Sequence, residues 1–240
     1  LHKAIRRQRQ MCIRDSFIFG SVITCALALA IATPFSLATA IFMTEISPEL
    51  GKRFVQPAVE IFVGIPSVVY GWIGLTILVP LIKNIFNLRF GFSVLAAGIV
   101  LAGMIFPTIT SLAADALRSI PKSYRAASYG LGATRWQTIA KVVVPAAVTG
   151  LMTAVILGLA RAFGEALAVA MVIGKMRAFP TSLLSPTNNL TAAIAADMGG
   201  AMEGSEYNIA LWTMALMLFI ISLACIFAIH FLTAKGGKQA

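Results

Sequence analysis

Residues 119–145 read SIPKSYRAASYGLGATRWQTIAKVVVP and separate two long apolar stretches of the chain. Ser119 is predicted to cap a short helix, which the Gly130-Leu131-Gly132 run should end. A second helix is predicted to begin at Thr134, because Gln137 follows three residues later in a capping-box pattern. The stretch is therefore expected to form two short helices joined by glycines.

The second short helix is predicted to have one apolar face, formed by Trp136, Ile139, Ala140 and Val143 at helical spacing. Such a protrusion, with basic residues around it, suits a groove on a soluble partner protein. It equally suits an amphipathic segment that lies on lipid headgroups. Composition alone leaves both interpretations open.

The rest of the chain is too apolar for a water-soluble domain. Of the 240 residues, 59% are hydrophobic and only 12% are charged, whereas a soluble domain carries about a quarter. Five stretches are long and apolar enough to cross a bilayer as helices. They are predicted at about 17–43, 58–82, 90–114, 142–174 and 207–234. The fold class is therefore an all-α, polytopic membrane helical bundle, and its positive charge points to lipid rather than nucleic acid.

Lysine and arginine are distributed unequally over the loops between these spans. Nine lie on the side that holds the loops 44–57 and 115–141 and the tail 235–240, whereas four lie on the side that holds the loop 175–206. The positive-inside rule places the richer side, and with it the C-terminus, in the cytoplasm. Residues 190–198 of the outer loop have helical spacing and end at Gly199-Gly200. This helix is expected either to cap the span ends or to dock a solute-binding protein.

Residues 1–16 do not fit this distribution, since they add five positive charges to the outer side. The string MCIRDS at 11–16 resembles translated sequencing adapter. We expect a non-native basic tail, with an upstream membrane helix lost; a signal-peptide n-region is the alternative.

Two features inside the spans could serve a transport path. Arg161 and Glu165 are four residues apart, so they are predicted to share a helix face and to pair. They form either a structural ion pair or the lining of an anion path, because ionisable residues inside a membrane are by default functional candidates. The Gly64-Ile65-Pro66-Ser67 stretch is expected to kink or break its helix, and Ser67 is a weaker candidate for substrate contact.

The 119–145 stretch carries a family resemblance. The stretch contains Ala126-Ala127-Ser128, then three residues, Gly132, nine residues and Val142-Val143-Val144-Pro145. This order resembles the EAA–x3–G–x9–I–x–L–P signature of ABC importer permeases. Ala126 stands where that family has glutamate. The resemblance therefore still implies docking on an ATPase, whereas any salt bridge from that position is in question. It implies a coupling role for Arg125, Ala126, Ala127, Ser128, Gly132, Ala133, Thr134, Arg135, Trp136 and Pro145.

Three further stretches are similar to the C-type permease of phosphate-specific (Pst) importers. They are residues 64–71, 130–136 and 158–169. The resemblance implies a type I ABC importer permease of six membrane helices, five of them visible here, with residues 17–234 as the permease domain. It implies an A-type permease partner, an ABC ATPase dimer and a periplasmic phosphate-binding protein, in the bacterial inner membrane.

No nucleotide-binding loop, metal-ligand set or catalytic triad is recognisable in the sequence. We therefore expect a non-catalytic transport subunit without cofactor or metal, whose ATP is hydrolysed by a partner chain. An A-type permease or a permease for another oxyanion, such as sulfate or molybdate, is the nearest alternative. An intramembrane enzyme using Glu165, or a membrane sensor, is a more distant one.

Overall fold

The computed structural model describes residues 2–176 and 179–236, with side chains from Ser16 onward except those of 225, 228–230 and 232–236. The predictions for the tails at 1–16 and 235–240 therefore concern residues whose side chains, except that of Ser16, are not described. Regular structure in the described ranges is helical, apart from a bridge between Gly174 and Thr187.

The α-helices, in chain order, are α1 His2–Ile41, α2 Pro48–Leu50, α3 Gln56–Gly64, α4 Ser67–Ile73, α5 Val79–Ile85, α6 Val94–Arg118, α7 Lys122–Gly130, α8 Arg135–Thr138, α9 Val144–Ala146, α10 Val148–Gly164, α11 Leu167–Val172, α12 Leu190–Asp197 and α13 Glu206–Gly236. π-Helical turns lie at Phe42–Ile46, Gly51–Val55, Gly74–Leu78 and Ile139–Val143, and a 3₁₀ turn at Met198–Gly200.

Long apolar helices dominate the described part of the chain. Four are long and apolar enough to cross a membrane: Ser16–Ile46, Ser67–Ile85, Val94–Arg118 and Glu206–Ala224. Arg135–Ala146 and Val148–Gly164 meet at 68° and add a fifth span if they count as one. The predicted all-α, polytopic membrane bundle is confirmed.

Helix α6 lies at the centre of the bundle, where α1 and α10 pack against it. Its most apolar window is 67% buried, compared with 17% for α13, so α6 is the more deeply buried of these two helices. Small residues allow this close packing. At Gly98, for example, an added Cβ would lie 2.6 Å from the Leu27 side chain of α1.

The helix predicted over 58–82 is broken. Helix α3 ends at Gly64, Ile65 and Pro66 are extended, and α4 begins at Ser67. Pro66 lacks the N–H group that would bond the Phe62 carbonyl in a continuous helix. The Tyr70 hydroxyl donates to that carbonyl instead, at 2.9 Å.

A second break separates α10 from α11, within the stretch predicted at 142–174. Glu165 follows the last residue of α10 in an extended conformation, with φ −77° and ψ 122°. Its Oε1 then accepts a hydrogen bond from the Ala168 N–H at 3.0 Å, in the first turn of α11. The two breaks face each other, because α4 packs on α11 with Gly71 against Ala168.

The loop 175–206 packs against the middle of α1, at Gly20 and Ser21. The Leu190 N–H donates to the Ser21 Oγ at 2.9 Å, and a Cβ at Gly20 would lie 2.1 Å from the Asn188 carbonyl oxygen. The helix predicted at 190–198 is present as α12, followed by the 3₁₀ turn. Asn189 caps it by accepting from the Ala192 N–H at 2.8 Å.

Candidate functional site

The membrane arginine does not form the predicted pair with Glu165. Arg161 lies in the last turn of α10, and its Nη1 donates to the Thr108 Oγ1 of α6 at 2.8 Å. Glu165 follows the end of that helix, so its side chain leaves the helix face on which the prediction placed it. Within the described ranges, no carboxylate forms an ion pair with Arg161.

Two neutral polar side chains lie near Arg161. Thr108 supplies a hydroxyl, and Tyr70, which closes the first break, is near enough to interact electrostatically with the guanidinium. A guanidinium always carries charge and presents a planar fork of donors that fits a tetrahedral oxyanion. The partly buried Arg161 is therefore suited to attract an anion into the bundle.

Glu165 holds the second break together instead of neutralising Arg161. Its carboxylate caps α11, and its backbone carbonyl accepts from the Thr191 Oγ1 of α12 at 2.9 Å. Thr191 thereby connects the loop 175–206 to the end of α10, a contact that no local sequence pattern indicates. Ser67 lies partly exposed at the first residue of α4, so its substrate contact stays a prediction.

The α7–α8 segment, residues 122–138, contains the two short helices that were predicted. The Thr134 Oγ1 accepts from the Gln137 N–H, and the Gln137 side chain accepts from the Thr134 N–H, so the capping box is confirmed. The chain turns at Gly132, whose φ is +81°. The predicted cap at Ser119 is wrong, because Ser119 ends α6 and donates to the Ala116 carbonyl. Helix α7 begins only after Pro121.

The apolar face predicted for the second helix is divided between the interior and the surface. Ile139 and Val143 are buried, whereas Ala140 is exposed and Trp136 is 66% exposed. The buried Ile139 and Val143 are the first and last residues of a π-helical turn, whose spacing departs from the α-helical period that the prediction assumed.

A shallow, mostly apolar groove of about 510 Å³ opens beside these residues. Its lining consists of Ser123, Tyr124, Ala127, Ser128, Leu131, Ala133 and Val142. Leu131 is 89% exposed at the tip of the segment. Exposed aromatic and aliphatic side chains around a groove are typical of a protein docking surface.

Some residues predicted to couple to an ATPase have internal contacts instead. The Ser128 and Thr138 hydroxyls share a buried hydrogen bond of 2.9 Å, which joins α7 to α8. Ala126 and Pro145 are exposed. Only part of the predicted set is therefore available to a partner.

Arg125 and Arg135 both bind the C-terminal end of the first span. Arg125 Nε and Nη2 donate to the two carboxylate oxygens of Glu45, at 3.1 and 2.5 Å. Arg135 Nη2 donates to the backbone carbonyls of Glu45 and Ile46. Glu45 was missed in the sequence, because 80 residues separate it from Arg125 and no local pattern connects them.

The hydrogen bond to Glu45 raises the pKa of the Arg125 guanidinium above its ordinary value, although burial opposes the shift. A raised pKa means that this contribution to stability is complete below the ordinary pKa of arginine. It is lost only as the pH rises through the folded-state pKa, in strongly alkaline solution. Arg125 is therefore charged and bound at every physiological pH.

These helices, with an exposed loop and a charged residue inside the bundle, are those of a multi-pass membrane transport protein. The chain belongs to the family described as the binding-protein-dependent transport system inner membrane component, which matches residues 32–235.

Sequence relatives agree with this membership. A probable ABC transporter permease protein, YqgH of Bacillus subtilis, is 55% identical over 219 residues, covering 91% of this chain and 71% of the relative. The phosphate transport system permease protein PstC of Haemophilus influenzae is 39% identical over 224 residues, covering 85% and 70%. A probable PstC of Methanocaldococcus jannaschii is 32% identical, covering 86% and 70%.

Solved structures share the fold at lower identity. A chain of the MetNI methionine ABC transporter in an inward-facing conformation has a TM-score of 0.66 at 21% identity, covering 90% of this chain and 91% of that one. A chain of a bacterial alginate ABC transporter has a TM-score of 0.66 at 15% identity, covering 92% and 78%. The predicted fold of a type I ABC importer permease is confirmed.

Proposed function

We propose that this chain is a permease subunit of an ATP-driven phosphate importer and forms half of its translocation path. The observation that carries the proposal is Arg161, a charged guanidinium in the last turn before a helix break, whose hydrogen-bonding partner among the described side chains is the Thr108 hydroxyl. The PstC relatives supply the choice of phosphate among oxyanions.

A fixed positive charge is costly inside a membrane unless it has a partner or lines a polar path. Arg161 offers donors to a phosphate group, and the Thr108 hydroxyl holds the side chain in place without cancelling its charge. Helix breaks in membranes are tolerated where they pack in protein or line a cavity. The two breaks beside Arg161 therefore support a substrate path better than a structural ion pair would.

The groove of the α7–α8 segment is assigned to the docking of an ABC ATPase, which hydrolyses ATP. An exposed apolar groove at the end of a bundle supports this assignment. A homologous A-type permease would complete the path, and a periplasmic phosphate-binding protein would deliver substrate to the outer loop. The C-terminus would lie in the cytoplasm of an inner-membrane protein, and transport would proceed by alternating access.

Uptake of labelled phosphate by the complete importer in proteoliposomes tests the role of Arg161. Arg161→Ala should lower uptake by about 10- to 100-fold, because a hydrogen bond to a charged group contributes about 1.5–3 kcal/mol. Arg161→Lys should retain part of the activity, since it keeps the charge but loses the planar fork. Arg89→Ala is the matched control. It removes an exposed arginine that follows the C-terminal end of the span Ser67–Ile85.

Co-purification of the ATPase with Arg161→Ala establishes that the variant is folded and assembled. Normal uptake by that assembled variant would refute the path role. Equal inhibition of the wild-type importer by sulfate and unlabelled phosphate would refute phosphate selectivity and favour a broader oxyanion permease.

A further inference from the structure

We propose that Glu45 is a positioning residue that fixes the α7–α8 segment to the inner end of α1, so that both move as one body during transport. This proposal rests on the proposed function, since it concerns how an ATPase would drive the bundle. Glu45 lies in the π-helical turn Phe42–Ile46 that directly follows α1. No sequence pattern assigned it a role.

The first attachment is a bidentate ion pair between Arg125 and Glu45. Both carboxylate oxygens of Glu45 accept hydrogen bonds from Arg125, one from Nε and one from Nη2. The side chains are only 20% exposed for Arg125 and 10% for Glu45. Bidentate arginine–carboxylate pairs fix orientation as well as distance, so this contact restrains rotation of α7 relative to the π-helical turn.

The second attachment uses the backbone of the same turn. Arg135, the first residue of α8, donates to the carbonyl oxygens of Glu45 and Ile46. These carbonyls lie at the C-terminal end of a helical segment, where backbone acceptors lack helical partners and favour cations. Each of the two short helices is therefore bound separately to the same few residues.

Internal contacts make the α7–α8 segment stiff enough to transmit a displacement. The Ser128–Thr138 hydrogen bond joins the two helices, and Arg125 also donates to the Leu117 and Ile120 carbonyls at the end of α6. Arg125 thus connects α7, the end of α6 and the turn after α1. A displacement of the α7–α8 segment would therefore be transmitted to α1 by these side-chain contacts. It would also be transmitted to the neighbouring spans by the covalent chain.

This connection matters because α1 packs along α6, the helix that carries Thr108 and so holds Arg161. Movement of α1 with the α7–α8 segment would change the packing around the membrane arginine. A change of the Glu45 side chain removes the ion-pair attachment without altering the groove residues, and leaves the backbone attachment of Arg135 in place.

The test compares Glu45→Gln with Glu49→Gln in the complete importer. Glu49 is an exposed carboxylate in α2, four residues further along the chain. For Glu45→Gln we expect the ATPase to co-purify and hydrolyse ATP while phosphate transported per ATP falls about tenfold, which corresponds to about 1.4 kcal/mol. The KM for phosphate should not change, because Glu45 does not touch the path. Glu49→Gln should behave as the wild type.

The double variant Glu45→Gln/Arg125→Gln separates a specific pair from two independent defects. If the pair acts as a unit, the double variant should lose no more coupling than the more damaging single variant. Additive losses would contradict the proposal. A wild-type coupling ratio in Glu45→Gln, or loss of the ATPase from that variant, would also overturn it.

A distance measurement tests the rigid connection without reference to the substrate. Spin labels at Phe42 and Lys122, both exposed, would be introduced into a cysteine-free background of the complete transporter. Their separation should be the same with and without ATP in the wild type and should broaden with ATP in Glu45→Gln. A wild-type distance that changes with ATP would refute the proposal, whereas absent phosphate uptake with a constant distance would refute only the proposed substrate.

Discussion

At the scale of single residues, Tyr70 shows how the chain tolerates a break inside a membrane helix. Pro66 removes the donor for the Phe62 carbonyl, and the Tyr70 hydroxyl replaces it from one turn beyond the break. The replacement satisfies a backbone acceptor that would otherwise be costly in a low-dielectric region.

Tyr70→Phe should lower the free energy of unfolding by about 1 kcal/mol, the typical net worth of one hydrogen bond. For a chain of this size that corresponds to a fall of about 2–4 °C in the thermal midpoint, measured on the purified protein in detergent. Tyr124→Phe, which changes an exposed ring in α7, is the control. Equal midpoints for the two variants would contradict the role given to the Tyr70 hydroxyl.

The residues that the sequence placed correctly are those whose partners are close in the chain. Thr134 and Gln137 are three residues apart, and the capping box between them formed as expected. The prediction that Ser119 caps α7 was wrong because α6 extends to Arg118 and Ser119 forms its C-cap. Glu45 and Arg125 could not be paired from the sequence, since only the packing of α1 against α6 brings them together.

At the scale of elements, the two broken helices meet at one close contact. A Cβ on Gly71 of α4 would lie 2.8 Å from the Ala168 Cα and from the Met171 Sδ of α11. The Ala168 backbone cannot yield as a flexible side chain could, so α4 and α11 would have to separate.

Gly71→Ala should therefore destabilise the protein by about 1–3 kcal/mol, the usual cost of overpacking, and should reduce phosphate uptake because both breaks shift beside Arg161. Thermal unfolding and uptake in proteoliposomes measure the two effects. Gly103→Ala adds the same methyl group in α6 where nothing lies within 4 Å. Its stability should stay the same or rise, as alanine favours a helix; a fall as large as that of Gly71→Ala would disprove the packing argument.

Hydropathy predicted where apolar helices occur but not where they break. The stretch at 58–82 contains a proline, so a kink or break was foreseen there. No proline marks the end of α10, where the chain leaves the helix at Glu165. The Glu165 carboxylate caps α11, and Thr191 binds the Glu165 carbonyl. The bond from Thr191 depends on α12, which lies 26 residues further along the chain. Because α10 ends before Glu165, the predicted Arg161–Glu165 pair was wrong.

At the scale of the whole molecule, the loop charges define an orientation that labelling can test. Leu131 lies at the tip of the α7–α8 segment and Met202 in the outer loop, and they are 89% and 82% exposed. In a cysteine-free background, Leu131→Cys should react with a membrane-impermeant maleimide only from the cytoplasmic side, and Met202→Cys only from the periplasmic side. Reaction of both from one side would contradict the proposed topology.

The hydrogen bond between Ser21 and Leu190 spans 169 residues and therefore imposes an order on biosynthesis. Helix α1 is synthesised while the ribosome has still to make the residues that Ser21 will contact. Ser21 can receive its partner only after the 169 residues that lead to Leu190 have been translated. Formation of α1 and its contact with Leu190 are thus separate events. During synthesis there must be an interval in which α1 exists and Ser21 still lacks this partner.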